Sequence, residues 1–83
     1  MISSVIVTVK GERGEYDLEL PADKLISDLA PELEEAINTL GESYSGKINL
    51  RVGNTALQDN KTLDQHFVWD GSIITIEKTG VRW

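Results

Sequence analysis

The chain has 83 residues and 9.2 kDa, with 40% hydrophobic and 27% charged residues, which is globular composition on the scale of one small domain. The absence of cysteine excludes disulfide staples, thiolate zinc sites and thiol chemistry, and the single histidine, His66, excludes a multi-histidine metal centre within the chain. Eight basic against fourteen acidic residues leave a net charge of −6, which argues against a nucleic acid or an anionic membrane surface as partner.

At this length nearly every apolar residue must join one core, and few remain to line a deep substrate pocket. Composition therefore favours a binding module over an enzyme. The opening Met1-Ile2-Ser3-Ser4-Val5-Ile6-Val7 has no basic leader, and no run approaches the roughly eighteen apolar residues of a membrane span. A cytoplasmic protein without membrane insertion is the expectation.

Residues 5 to 10 are β-branched and alternate, with Val5, Val7 and Val9 on one face and Ile6, Thr8 and Lys10 on the other. Gly11-Glu12-Arg13-Gly14 reads as a hairpin turn. Residues 15 to 20 alternate again, with Tyr16, Leu18 and Leu20 inward and Glu15, Asp17 and Glu19 in solvent. Pro21-Ala22-Asp23 breaks the strand, and Asp23 suits a helix N-cap. Ile26, Leu29, Ala30, Leu33, Ala36, Ile37 and Leu40 recur at helical spacing within residues 24 to 40, and Gly41 stands where a C-terminal glycine cap belongs. Pro31 interrupts this pattern, so the helix either kinks there or is split into two.

Ile48 to Val52 forms a third strand and Thr55-Ala56-Leu57 a short edge strand. Leu63 to Val68 suits a helical turn, with Phe67 and Val68 expected to supply core contacts. Ser72 to Glu77 is a last strand, with Ile74 and Ile76 inward. Charge is uneven along this order. Residues 12 to 42 hold ten acids against Arg13 and Lys24, so the acidity lies on the second strand and the helix.

Chemistry-bearing candidates are few. Gly41-Glu42-Ser43-Tyr44-Ser45-Gly46-Lys47 has the spacing of a phosphate loop, but it follows a helix, precedes a strand and continues into Ile48 instead of Ser or Thr. A helix-to-strand loop is the better reading. His66 lies near Asp64 and Asp70, but one short segment rarely fixes a nucleophile, a base and an orienting group, so a structural histidine is expected. Glu32, Glu34 and Glu35 form either a solvated helix face or a docking surface for a basic partner. Trp69 either covers the edge of a small core or anchors a partner, and Trp83 ends the chain as Gly80-Val81-Arg82-Trp83. Asn60-Lys61-Thr62 matches a glycosylation acceptor and, without a secretion signal, marks only a loop.

The order of strand, hairpin, helix, strand, short strand, helical turn and strand resembles the ubiquitin-like β-grasp. The resemblance extends to residues. Asn49 to Leu63 is similar to ubiquitin's central stretch without a gap, with Leu50, Val52, Leu57, Asp59, Thr62 and Leu63 on matching types. His66-Phe67-Val68 followed by Asp70-Gly71-Ser72 resembles the family's helical turn and entry to its last strand. The implied fold is α+β, ββαββ plus a final strand, a mixed sheet with one helix packed across it. A single domain over residues 1–83 is expected, with its core at about 5–78 and a tail at 79–83.

Two departures bear on function. Conjugated or sulfur-carrying members end in a glycine pair, whereas here Gly80 stands alone before Val81. Where ubiquitin shows an apolar recognition residue on its third strand, this chain has Arg51, and the outward positions read mainly Thr8, Lys10, Asn49, Arg51, Thr75 and Glu77. The opening Tyr16-Asp17-Leu18-Glu19-Leu20-Pro21-Ala22 and the overall length resemble the YukD/EsaB family of type VII secretion accessory proteins. That resemblance implies a non-conjugated cytoplasmic module for protein–protein interaction, with no catalysis, cofactor or metal, whose partner is a secretion-system component. Arg51, His66, Trp69, Glu32 and Glu35 are the candidate partner contacts. The alternative is a modifier or sulfur carrier that needs processing at its C-terminus.

Overall fold

Two alternating segments close the first hairpin. Strand β1 (Ser4–Lys10) pairs antiparallel with β2 (Glu15–Pro21), placing Val7 opposite Leu18 and Val9 opposite Tyr16. The turn is shut by the Gly11 N–H, which donates to the Gly14 carbonyl at 2.8 Å. The computed structural model describes residues 4–45 and 47–78. Beyond the hairpin come helix α1 (Ile26–Thr39), strand β3 (Ile48–Val52), the short β4 (Thr55–Ala56), a 3-10 turn at Asp64–His66 and strand β5 (Ile73–Lys78).

Strand β5 lies parallel to β1, with Thr8 opposite Ile73, and antiparallel to β3, with Leu50 opposite Ile76. The sheet order is β2-β1-β5-β3-β4. One helix packed on this mixed sheet is the ubiquitin-like β-grasp that the sequence resembles. The alternation puts Val7, Val9, Leu50 and Ile74 on the inner face, where they meet Ile26, Leu29, Leu33 and Ile37 of the helix. All eight are essentially sealed from water, the dominant favourable term for a chain of this size.

The helix begins differently from expectation. Asp23 is not its cap; Leu25 occupies that position in an extended conformation and makes no side-chain bond to the helix. Two of the orphan N–H groups of the first turn are taken by distant backbone instead. Ile26 N–H donates to the Lys61 carbonyl at 2.8 Å and Ser27 N–H to the Asp59 carbonyl at 3.1 Å. The far end follows the glycine signal. Gly41 has a φ of 122°, its N–H donates to the Asn38 carbonyl, and the Glu42 N–H reaches back to Ile37. Pro31 lies inside one continuous helix, so the helix is not split.

Three apolar residues expected in the core lie outside it. Ala36 is exposed, and Leu40 falls at the helix cap with half its surface in solvent. Phe67 is 72% exposed, whereas its neighbour Val68 is buried. The cause is backbone: Phe67 adopts a left-handed conformation (φ 59°, ψ 42°) at the end of the 3-10 turn, which aims its ring away from the core.

Candidate functional site

The outer face of the sheet carries most of the polar side chains expected of it, together with the exposed Ile6 and Ile73. Arg51 on β3 does not stand alone there. Its Nε and Nη2 donate to the two carboxylate oxygens of Glu77 on β5, at 2.9 and 3.2 Å, in a fork geometry that ties the guanidinium to the neighbouring strand. The pair is partly exposed and contributes little to stability, but it replaces an apolar centre with a neutralised polar one. Across β1 the Asp17 carboxylate accepts the Thr8 hydroxyl at 2.8 Å, and Glu19 accepts the Ser4 hydroxyl at 2.7 Å.

His66 is engaged within the fold. Its Nε2 accepts the Gln58 N–H at 2.9 Å, tying the 3-10 turn to the loop after β4. Burial pushes the imidazole below its ordinary range and the nearby Lys61 charge adds to that, so the neutral acceptor form is favoured. Three residues on, Trp69 is 64% exposed, with its ring 6.4 Å from that of Phe67 and tilted by 39°. The turn after Trp69 is stitched to β1: the Asp70 carboxylate accepts the Ile6 N–H at 2.8 Å, and the Gly71 N–H donates to the Ile6 carbonyl at 2.8 Å.

On the opposite side of the sheet, the exposed helix face carries Glu32 and Glu35. Glu32 accepts from the Lys24 ammonium at 2.5 Å. The five candidate contacts therefore do not converge. Arg51 lies on the outer sheet face, His66 and Trp69 lie at the corner leading into β5, and the two glutamates lie on the helix. The loop with phosphate-like spacing begins in the helix C-cap, and its Lys47 ammonium pairs with Asp59 at 3.1 Å. Its Gly46 and the tail with Gly80 and Trp83 lie outside the described residues. A groove of about 390 Å³ opens between helix and β3, lined by Ala30, Pro31, Glu34, Lys47, Ile48 and others.

One functional-looking residue escaped the sequence reading. Glu42 is 5% exposed, and its carboxylate accepts the N–H groups of Glu12 (3.0 Å) and Arg13 (3.1 Å) and the Tyr16 hydroxyl (2.5 Å). Desolvation pushes this carboxyl upward, but the bonds from Tyr16, Arg13, Glu12 and Gly14 together hold it below its ordinary value. The same bond is the main reason that Tyr16 is raised. This is a clamp joining the end of the helix to the first hairpin. In sequence it was one acid among ten.

The model of the YukD protein of the WXG100 protein secretion system matches residues 4–76. The chain belongs to the YukD family. As a YukD-family chain it is a ubiquitin-like module of the type VII secretion class. No curated protein matches its sequence. Among solved structures, the EccD5 ubiquitin-like domain from Mycobacterium xenopi is 21% identical over 98% of this chain and 100% of that one, with a TM-score of 0.84. A chain of the MycP5-free ESX-5 inner membrane complex in its state II is 23% identical, covering 99% of the YukD-family chain and 23% of the larger one, with a TM-score of 0.77. The N-terminal ubiquitin-like domain of the 4931431F19Rik protein is 14% identical over 100% of this chain and 82% of that one, also at 0.77. These likenesses share the fold. Among the described residues of this YukD-family chain, no helix is long and apolar enough to cross a membrane.

Proposed function

We propose that this chain is a cytoplasmic, non-conjugated interaction module of a type VII secretion system, an accessory that presents a rigid surface to another component of the machinery and makes or breaks no bond. The family match across residues 4–76 carries this reading. The similarity to a domain within the ESX-5 inner membrane complex supports a membrane-complex subunit as the partner. The chemistry of the sheet agrees with a partner unlike those of ubiquitin, because the Arg51–Glu77 fork stands where an apolar contact would be needed. Arg51, Trp69, Glu32 and Glu35 are the proposed contacts, with His66 holding the corner that presents Trp69.

Co-purification of the full chain with the cytoplasmic parts of the membrane subunits from its own secretion system tests this. Specific retention of a subunit is expected. Incubation with a ubiquitin-type activating enzyme and ATP should leave the mass of the chain unchanged, and formation of an adenylate or thioester would replace this reading with that of a modifier.

A further inference from the structure

Four large apolar side chains stand in solvent around one corner of the sheet: Ile6, Ile73, Phe67 and Trp69, each more than half exposed. Ile6 and Ile73 point away from the core on the neighbouring strands β1 and β5. Phe67 and Trp69 lie on the segment that leads into β5, whose turn is bonded to the Ile6 backbone on both its N–H and its carbonyl. None of the four side chains belongs to the buried core. Phe67 is the clearest case: its left-handed backbone caps the 3-10 turn, with its N–H on the Asp64 carbonyl and that of Val68 on the Leu63 carbonyl, but its ring is 72% exposed, so the cap uses the backbone and not the side chain. Two large aromatics exposed beside two exposed isoleucines point to a role outside the chain.

The charges beside the corner say what would cover it. Glu19 is the cross-strand neighbour of Ile6, Asp17 that of Thr8, and Asp70 begins the turn between Trp69 and Ile73. Among the described residues the cations of this face are offset: Lys10, two residues along β1 from the Thr8 that pairs with Ile73, lies opposite Glu15, and Arg51 is neutralised by Glu77. A second copy of this chain would bring like carboxylates together on a molecule of net charge −6. We propose that this corner docks a basic amphipathic helix of a protein partner, with apolar anchors on Ile6, Phe67, Trp69 and Ile73 and Lys or Arg side chains over Asp17, Glu19 and Asp70. The inference rests on the reading of the chain as an interaction module and names the surface and the chemistry of its partner.

The test is a titration of the isotope-labelled full chain with a synthetic helical peptide carrying Leu and Phe along one side and Lys and Arg along the other, followed by NMR. Saturable shifts at Ile6, Phe67, Trp69 and Ile73 are expected, and a peptide with Glu in place of the basic residues should bind about tenfold more weakly or worse. The double variant Phe67→Asn/Trp69→Ser should lose binding by about tenfold or more while keeping or raising Tm, because Asn tolerates the left-handed backbone and both side chains are exposed. Shifts confined to Asp28–Glu35, unchanged binding by the double variant, or a dimer that the double variant dissolves would each overturn the inference. Retention of a secretion subunit by the double variant would sink this surface and leave the module reading standing. Peptide binding at the corner with no subunit retained would do the reverse.

Discussion

Gly11 and Glu42 divide one space between them: a Cβ on Gly11 would stand 2.6 Å from the Glu42 carboxyl carbon. The carboxylate fills the room that the missing side chain leaves, and from there it collects the N–H groups of Glu12 and Arg13 and the Tyr16 hydroxyl. Arg13 completes the junction by donating from its guanidinium to the Gly41 carbonyl at 3.0 Å. The end of the helix and the tip of the first hairpin are thereby held as one unit. Glu42→Ala removes the acceptor of the Arg13 N–H and the Tyr16 hydroxyl, while the Glu12 N–H keeps the Tyr44 hydroxyl at 3.0 Å, and is expected to cost about 2 kcal/mol. Gly11→Ala evicts the same carboxylate and is expected to cost a similar amount. Because both changes break one clamp, the double variant should be no worse than the more harmful single one. Urea unfolding of the four proteins measures this, and simple additivity would show that the two residues act separately.

Most of the fold could be read from residue periodicity, because strands and helix each bury one face. Val7, Val9, Leu50 and Ile74 fall where alternation puts them, and Ile26, Leu29, Leu33 and Ile37 where a helical stripe does. Features made by contacts distant in sequence could not be read that way. The helix start is completed by carbonyls of residues 59 and 61, so nothing near Asp23 announces it. Glu42 became a buried acceptor only when the hairpin folded over it. The exposure of Phe67 depends on a single left-handed residue, whereas hydrophobicity alone argues for burial. The candidate contacts fared in the same way. Residue type could name Arg51 and Trp69, but not that Glu77 occupies one and Phe67 flanks the other.

His66 and Glu42 act in separate pH windows. His66 is held below its ordinary value of 6.5, so below that pH the unfolded chain binds more protons than the folded one. Stability should therefore be level above 6.5, decline as pH falls below it, and level again once the folded imidazole has titrated. Glu42 is held below 4.5, so its contribution is complete above that value and is lost as pH falls through the folded pKa. Chemical denaturation across the range should show His66→Gln flattening the upper decline and Glu42→Gln flattening the lower. An unchanged upper decline in His66→Gln would assign it to another group.

The helix offers a matched pair of leucines. Leu33 is 1% exposed at the centre of the stripe, and Leu40 is 50% exposed at the cap. Leu33→Ala should destabilise by about 3 kcal/mol, since it loses buried area and leaves a cavity. Leu40→Ala should change stability by less than about 0.5 kcal/mol. Equal losses from the two in thermal unfolding would mean that the helix packs through a wider face than the sealed stripe.

Pro31 is the one residue of the helix that works against it. It has no N–H, so the Ser27 carbonyl lacks the donor that a helix supplies four residues on. Alanine is a far better residue in a helix interior, by about 3 kcal/mol on intrinsic propensity. The realised gain should be smaller, about 1 kcal/mol, because proline also restricts the unfolded chain and the native helix has already adapted to it. Pro31→Ala should accordingly raise Tm and add helical signal in circular dichroism. Pro31 and Ser27 both line the groove between helix and β3, so the substitution also removes the ring from that wall and gives the Ser27 carbonyl an internal partner. No gain in Tm would mean that the carbonyl is already satisfied by another donor and that the proline costs the folded helix nothing.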